Sequence, residues 1–185
     1  MRLRLYAFST LTLGGTCPAS NAGFSKMTAI NVLFVCTNNI SRSILAEHIF
    51  RSLLHSEKLA DAVLLDSAGS YASKTPSKFP KLLIECAKQH GYDLSAVQSK
   101  ELSTIEINQY QHISLMDEDS FWFIRSFYPN YPERNLAMFL KHSGQLGIRE
   151  LVDPRRTKEG FDELIKVIQD SAPGLLRYLQ QEFGI

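Results

Sequence analysis

The segment Cys36-Thr-Asn-Asn-Ile-Ser-Arg42-Ser43 places a thiol and a guanidinium six residues apart, in the form Cys-x5-Arg-Ser. Arginine offers a planar, permanently charged fork that suits phosphate oxygens. A cysteine in such a positive environment favours the thiolate, which is a nucleophile. Cys36 and Arg42 therefore have the residue types for attack on phosphorus. Because cysteine and arginine also fall at this spacing by chance, the alternative is a buried strand-end cysteine beside a surface arginine.

The elements around this segment decide between the two interpretations. Residues 31–36 form a continuous apolar, β-branched run, which is typical of a strand buried on both faces. Residues 43–54 carry apolar side chains at helical spacing, so the pattern predicts a strand, a loop and then a helix. The unpaired N–H groups at the start of a helix can cradle an anion. This context favours a phosphate-binding loop with Cys36 beneath the phosphate.

The rest of the chain continues the alternation of strands and helices. Further strands are predicted at 62–66, 112–116 and 136–140, and further helices at 81–90, closed by Gly91, and at 117–127. A long amphipathic helix follows Pro154, and Pro173 is expected to kink or split it. Alternation of this kind predicts an α/β fold with a parallel sheet. Ligands of such sheets bind beyond the carboxyl ends of the strands, where the loop after residue 35 lies.

Composition excludes several classes of function. A length of 185 residues suits one domain, and a net charge of +1 gives no electrostatic case for nucleic acid or membrane binding. No apolar run reaches the ~20 residues of a membrane helix. Three cysteines do not make a disulfide framework, and they indicate a reducing, cytoplasmic setting. No His and Cys spacing predicts a metal site, and no cofactor is expected.

Residues 1–29 differ from the remainder of the chain. They carry Arg2, Arg4 and a weak apolar run, followed by Gly, Pro, Ser and Asn residues. We interpret this stretch as an N-terminal extension that is either disordered or not native, with Met27 as the alternative start. A signal peptide is the weaker interpretation because polar residues interrupt the apolar run. The domain is predicted to span residues 30–185.

Four segments resemble the low-molecular-weight protein tyrosine phosphatase family. Residues 32–47 resemble its opening strand and loop, and Ser67-Ala-Gly69, Leu115-Met-Asp117 and Val152-Asp-Pro154 resemble three later motifs. The resemblance covers about residues 30–182, in the same order along the chain. It implies a four-stranded parallel sheet flanked by helices, with the phosphate-binding loop between the first strand and the first helix.

The resemblance also implies a role for each matched residue. Cys36 would attack phosphorus to form a phosphocysteine, Arg42 would bind the phosphate oxygens, and Asp153 would be the general acid. Ser43 would hydrogen-bond the sulfur, while Asn39 and Ser67 would hold the loop in shape. The implied substrate-binding residues are Thr37, Asn38, Asn39, Ile40, Ser41, Ser43 and Ser67. The implied substrate is phosphotyrosine in a protein, and inorganic phosphate is the product.

Four residues depart from the family pattern. Asn38 stands where the family usually has glycine, at a position that could require a positive φ or a close approach to the ligand. Ser41 replaces a second loop cysteine, so Cys36 has no neighbouring thiol in the loop. Arg155 and Arg156 replace tyrosines, and a basic pair would attract acidic sequence around a phosphosite unless it is only a solvated turn.

Other activities of the same fold remain as alternatives. Arsenate reductases of this fold need two further cysteines, and downstream of the loop the sequence has only Cys86, which we interpret as a core thiol. Arginine phosphatases of the family have threonine at the position of Ile40. A phosphate-binding module without turnover is the non-enzyme alternative, suggested by Asn38 and Ser41.

Overall fold

The computed structural model describes residues 29–73, 79–144, 150–154 and 156–185. The interpretation of the N-terminal extension, including the alternative start at Met27, falls on residues 1–28 and lies outside the described residues, as does Arg155. Within the described ranges, no helix is both long and apolar enough to cross a membrane.

Four parallel strands form one sheet, as the sequence predicted. They are β1 (Ile30–Cys36), β2 (Val63–Gly69), β3 (His112–Leu115) and β4 (Leu136–Met138), in the spatial order β2-β1-β3-β4. In the register of the sheet, Cys36 pairs with Gly69, so the carboxyl ends of the two strands lie side by side. The fourth strand is shorter than the predicted 136–140, because the chain turns into a 3₁₀ helix at Phe139–His142.

Helices cover both faces of the sheet. They are α1 (Arg42–Ser56), α2 (Lys81–Gln89), α3 (Glu118–Phe127) and α4 (Lys158–Phe183), and short 3₁₀ turns lie at Leu102–Thr104, Ile107–Gln109 and Glu133–Asn135. Side chains of β1 alternate between two cores, with Val32 and Phe34 in one and Leu33 and Val35 in the other. The first core contains residues of α1, α2 and α4, and the second contains residues of α3. β1 is therefore a central strand buried on both faces.

The prediction that Pro173 could split the last helix is wrong. α4 runs without interruption through Pro173, from Lys158 to Phe183. Buried apolar residues lie on both sides of the proline, among them Ile168 before it and Leu175 and Leu179 after it. Packing of this face against the core stabilises the helix enough to offset the backbone hydrogen bond that proline cannot make.

Candidate active site

The sulfur of Cys36 lies at the end of β1, where the chain enters the loop before α1. Its side chain is buried, and Sγ accepts the backbone N–H of Asn39 at 3.2 Å. The hydroxyl of Ser43 lies 3.0 Å from the same sulfur. Asn39 Nδ2 donates to that hydroxyl oxygen at 2.9 Å, which leaves the hydroxyl proton of Ser43 free to point at the sulfur. Two donors are therefore aimed at one sulfur.

Asn39 fixes the shape of the loop. It is fully buried and has a φ of +50°, in the left-handed region that asparagine tolerates better than most residues. Its amide nitrogen bonds Ser43, and its amide oxygen accepts the backbone N–H of Lys100 at 2.7 Å. One side chain thereby ties the loop to α1 on one side and to the segment before Leu102 on the other.

Asn38, where the family usually has glycine, does not have the positive φ; within the loop only Asn39 does. The close backbone contact falls instead on Gly69, at the end of β2. A Cβ on Gly69 would lie 2.7 Å from the carbonyl carbon of Asn38 and 2.8 Å from the nitrogen of Asn39. The loop therefore accepts asparagine at position 38 without left-handed backbone strain, whereas it packs directly on the glycine at position 69.

Arg42 lies in the first turn of α1, and its guanidinium contacts two other segments of the chain. Its Nη1 lies 2.8 Å from Oδ2 of Asp117 and donates to the carbonyl oxygen of Leu151 at 3.3 Å. Its Nε lies 3.4 Å from Oδ1 of Asp153. Arg42 is 7% exposed, so its charge faces the site rather than bulk water. The N-cap of α1, Ser41, makes no side-chain cap, so the first-turn N–H groups remain available to an anion.

Asp117 connects the loop, the arginine and α3. Its Oδ2 accepts both the backbone N–H and the hydroxyl of Thr37, at 3.0 and 2.7 Å, while its Oδ1 caps α3 through the N–H of Ser120. Burial alone would raise the pKa of Asp117. The hydrogen bonds from Ser120 and Thr37, together with the charge of Arg42, outweigh burial and hold that pKa below its ordinary value. The carboxylate is thus ionised over the physiological range.

The segment that carries Asp153 is anchored beside the loop. The N–H of Leu151 donates to the carbonyl of Met116 at 2.9 Å, at the end of β3. Glu150 accepts the N–H of Glu118 at 2.7 Å, at the start of α3. Asp153 follows these anchors with a side chain that is 71% exposed, so it stands at the mouth of the site.

A single pocket gathers most of the residues singled out from the sequence. It is lined by Cys36, Asn38, Ile40, Ser41, Arg42 and Asp153, together with Pro80, Pro154, Arg156 and Phe161. A thiol, a guanidinium and a carboxyl group therefore face one space. Such an arrangement can bind a tetrahedral anion and exchange protons with a group leaving it. Among the described residues, no cluster of His, Cys, Asp or Glu is placed to hold a metal ion.

Four of the predicted substrate-binding residues do not line the pocket. Asn39 and Ser43 are fully buried against the sulfur of Cys36, whereas Thr37 and Ser67 face elsewhere. The hydroxyl of Ser67 donates to Glu47 on α1 at 2.8 Å, rather than to the loop as the resemblance implied. The side chain of Thr37 bonds Asp117, so this residue supports the loop from the side of β3 and does not line the pocket. The hydrogen bond of Ser67 therefore joins β2 to α1.

Sequence reasoning missed several contributors. The sequence offers Asp117 as part of a motif and as a second candidate for the general acid after Asp153, but it does not predict the ion pair with Arg42. The position of Asp117 directly after the third strand is the signal for an edge residue of a parallel sheet. Lys100, Pro80 and Phe161 reach the loop or the pocket from distant segments. Lys100 and Pro80 belong to no periodic pattern, and helical periodicity places Phe161 on the apolar face of the last helix without indicating the pocket.

We predict that Asp117→Asn lowers the free energy of unfolding by about 3 kcal/mol at pH 7, because it leaves the buried charge of Arg42 without its main partner. Because asparagine can still cap α3, the loss of stability reports the removal of the negative charge of Asp117. We also expect a loss of about 10²-fold in kcat/KM, because Arg42 is no longer held in place. Denaturant unfolding and steady-state kinetics measure the two effects, with Asp119→Asn, an exposed carboxylate of the same helix turn, as the matched control.

The sign of the pH dependence follows from the lowered pKa of Asp117. Its stabilisation is present above the ordinary aspartate pKa of about 3.9 and disappears as the pH falls through the lower value in the folded protein. The stability difference between the wild type and Asp117→Asn should therefore shrink towards pH 3. Equal stability at pH 7, or a difference that acid leaves unchanged, would contradict the assignment.

Comparison with solved structures agrees with this fold. The crystal structure of YfkJ from Bacillus subtilis superposes with a TM-score of 0.76 at 25% identity, and the match covers 85% of this chain and 98% of that one. The structure of Wzb from Vibrio vulnificus in complex with benzylphosphonate gives a TM-score of 0.69 at 26% identity, covering 82% and 99% of the two chains.

Sequence comparison gives the same grouping. The low molecular weight protein-tyrosine-phosphatase YfkJ of Bacillus subtilis is 26% identical over 153 residues, which cover 83% of this chain and 97% of the relative. The mouse low molecular weight phosphotyrosine protein phosphatase is 30% identical over 90 residues, 49% of this chain and 56% of the relative. The sequence model of the low molecular weight phosphotyrosine protein phosphatases matches residues 31–184, so the chain belongs to that family.

Proposed function

We propose that this chain is a cysteine-dependent protein tyrosine phosphatase, which hydrolyses phosphotyrosine in proteins through a phosphocysteine at Cys36. One observation carries the proposal: the buried sulfur of Cys36, the guanidinium of Arg42 and the carboxyl group of Asp153 line the same pocket. The names of the relatives support the reaction, and the benzylphosphonate bound to Wzb, an aromatic ring next to a phosphonate, supports the substrate class.

In the first step the thiolate of Cys36 attacks phosphorus. An S–P bond forms while the bond from phosphorus to the tyrosine oxygen breaks, and Asp153 gives its proton to that oxygen. The loop N–H groups and Arg42 bind the three remaining oxygens as negative charge redistributes over them. Asp117 keeps the guanidinium in position throughout, since it pairs with Arg42 and does not itself line the pocket.

In the second step a water molecule attacks the same phosphorus. The S–P bond breaks, Asp153 takes the proton of the water, and inorganic phosphate is released. The sulfur leaves as a thiolate, which Ser43 and the N–H of Asn39 stabilise at 3.0 and 3.2 Å. The reaction needs only the residues of the chain and water.

The mouth of the pocket fits an aromatic ester with acidic surroundings. Ile40 and Pro154 offer apolar surface to a ring, and Arg156 adds a positive charge at the rim. Ile40 brings no polar group for a guanidinium, which disfavours phosphoarginine. Cys86 is a buried thiol on α2, in the first core. Cys36 and Cys86 are the two cysteines in the described part of the chain, so a third cysteine for a disulfide relay is missing there, which disfavours that alternative.

We also propose that the chain works in the cytoplasm. Cys36 and Cys86 are both free thiols, and a reducing compartment preserves a nucleophilic thiolate. Its expected partners are phosphorylated proteins, with phosphate as the product, and neither nucleic acid nor a membrane.

Replacing the nucleophile tests the proposal. Cys36→Ser should lower kcat for an aryl phosphate by about 10³-fold or more, because a serine hydroxyl at this position lacks a base that would activate it. Vanadate or phosphate should still bind, since the loop N–H groups and Arg42 remain. Cys86→Ala, measured where it is fully folded, is the matched control and should keep its activity. Residual turnover of Cys36→Ser above about one per cent of the wild type would overturn the proposal.

The role of Asp153 predicts a dependence on the leaving group. A general acid matters most for a basic leaving oxygen, such as that of tyrosine with a pKa of about 10. Asp153→Asn should therefore slow a phosphotyrosine peptide by ~10²–10⁴-fold, and should slow an activated aryl phosphate much less. The limb of the pH–rate profile that reports ionisation of the general acid should disappear in Asp153→Asn. If both substrates lose the same factor, Asp153 only holds its loop.

A further inference from the structure

Three aromatic side chains form a continuous array beside the active-site loop, with two exposed outer rings and a half-buried ring between them. Tyr71 and Phe123 meet edge to face with ring centroids 5.0 Å apart, and Phe123 stacks on Phe127 at 4.5 Å. Tyr71 is 61% exposed and Phe127 is 67% exposed. We call these three residues the aromatic strip.

The strip begins at the loop that binds phosphate. The N–H of Tyr71 donates to the carbonyl of Thr37 at 2.8 Å, one residue from Asn38, which is exposed and lines the pocket. The other two rings lie on α3, which is capped by Asp117, the residue that binds Arg42. The strip therefore begins directly beside the loop, on the side of Asn38.

Packing of the hydrophobic core does not explain why Tyr71 and Phe127 are exposed. Phe123 packs against the second core, but Tyr71 and Phe127 leave most of their surface in water. Contiguous apolar patches of this kind mark interaction sites on soluble proteins. Aromatic rings serve there as anchors, because they bury a large area with few rotatable bonds.

We propose that the aromatic strip binds apolar side chains that flank the phosphotyrosine of the substrate protein. The proposal rests on the proposed function, since it assigns the substrate class of the same site. α3 is ten residues long, a rise of about 15 Å. An extended peptide of five residues spans about 17 Å, so it can run from the pocket past Asn38 to the far end of the strip. The preferred substrates carry apolar residues within about five positions of the phosphotyrosine.

The chain offers a matched control on the same helix. Trp122 is 63% exposed, nearly the same as Phe127, but its described ring contact is with Phe121 and not with the strip. Successive residues of an α-helix point about 100° apart, whereas Phe123 and Phe127 share a face because they are four residues apart. Trp122→Ser and Phe127→Ser thus remove similar exposed rings on different sides of α3.

The test compares three substrates with the full chain and the two variants. Two phosphotyrosine peptides have equal length and charge, one flanked by Leu, Ile and Phe and the other by Ser and Gln. The third substrate is p-nitrophenyl phosphate, which is too small to reach the strip. The wild type should prefer the apolar peptide by about tenfold in kcat/KM. Phe127→Ser should reduce this preference about fivefold, through a higher KM for the apolar peptide, whereas Trp122→Ser should retain the preference. Both variants should hydrolyse p-nitrophenyl phosphate at the wild-type rate.

Three outcomes would overturn the inference. The wild type could show no preference between the peptides, or Trp122→Ser could lose as much as Phe127→Ser. Sedimentation could instead reveal a dimer that Phe127→Ser dissociates with unchanged peptide kinetics, which would assign the strip to a second copy of the chain. Failure of the proposed function is distinguishable, because the wild type would then not hydrolyse even p-nitrophenyl phosphate.

Discussion

The ion pair between Asp117 and Arg42 is the interaction on which the rest of the site depends. One buried carboxylate binds the guanidinium at 2.8 Å, accepts two hydrogen bonds from Thr37 and caps α3. The arginine is thereby fixed before any phosphate arrives, so less conformational entropy is lost when the substrate binds. A partner charge also offsets the cost of burying Arg42 while its other donors remain available to an anion.

Sheet topology makes this pair possible. β1 lies between β2 and β3, and all strands run parallel, so the residues that follow each strand meet at one edge. Cys36 comes from β1, Gly69 from β2 and Asp117 from the end of β3. The Leu151 segment, bonded to the end of β3, then brings Asp153 opposite the thiol from more than a hundred residues away. The thiol of Cys36, the guanidinium of Arg42 and the carboxyl group of Asp153 are thus positioned by backbone contacts of the sheet edge.

Sequence patterns predicted the parts of the structure that depend on local order. The buried strand, the loop and the helix around Cys36 follow from apolar periodicity, and the alternation of elements gave the parallel sheet. Contacts between segments distant in the chain were not accessible. Tertiary packing keeps α4 continuous at Pro173, against its local preference. Similarly, the left-handed residue is Asn39 rather than Asn38, and Ser67 bonds a helix rather than the loop, because the packing of neighbouring segments decides both.

The most direct test of the account is to observe the bond between sulfur and phosphorus. Wild-type protein is mixed with a phosphotyrosine peptide, quenched within the first turnover and digested, and the peptide containing Cys36 is analysed by mass spectrometry. The account predicts a phosphoryl group on Cys36 that accumulates before free phosphate reaches its steady-state rate. Turnover without any phosphorylated Cys36, or with the phosphoryl group on a different residue, would contradict it.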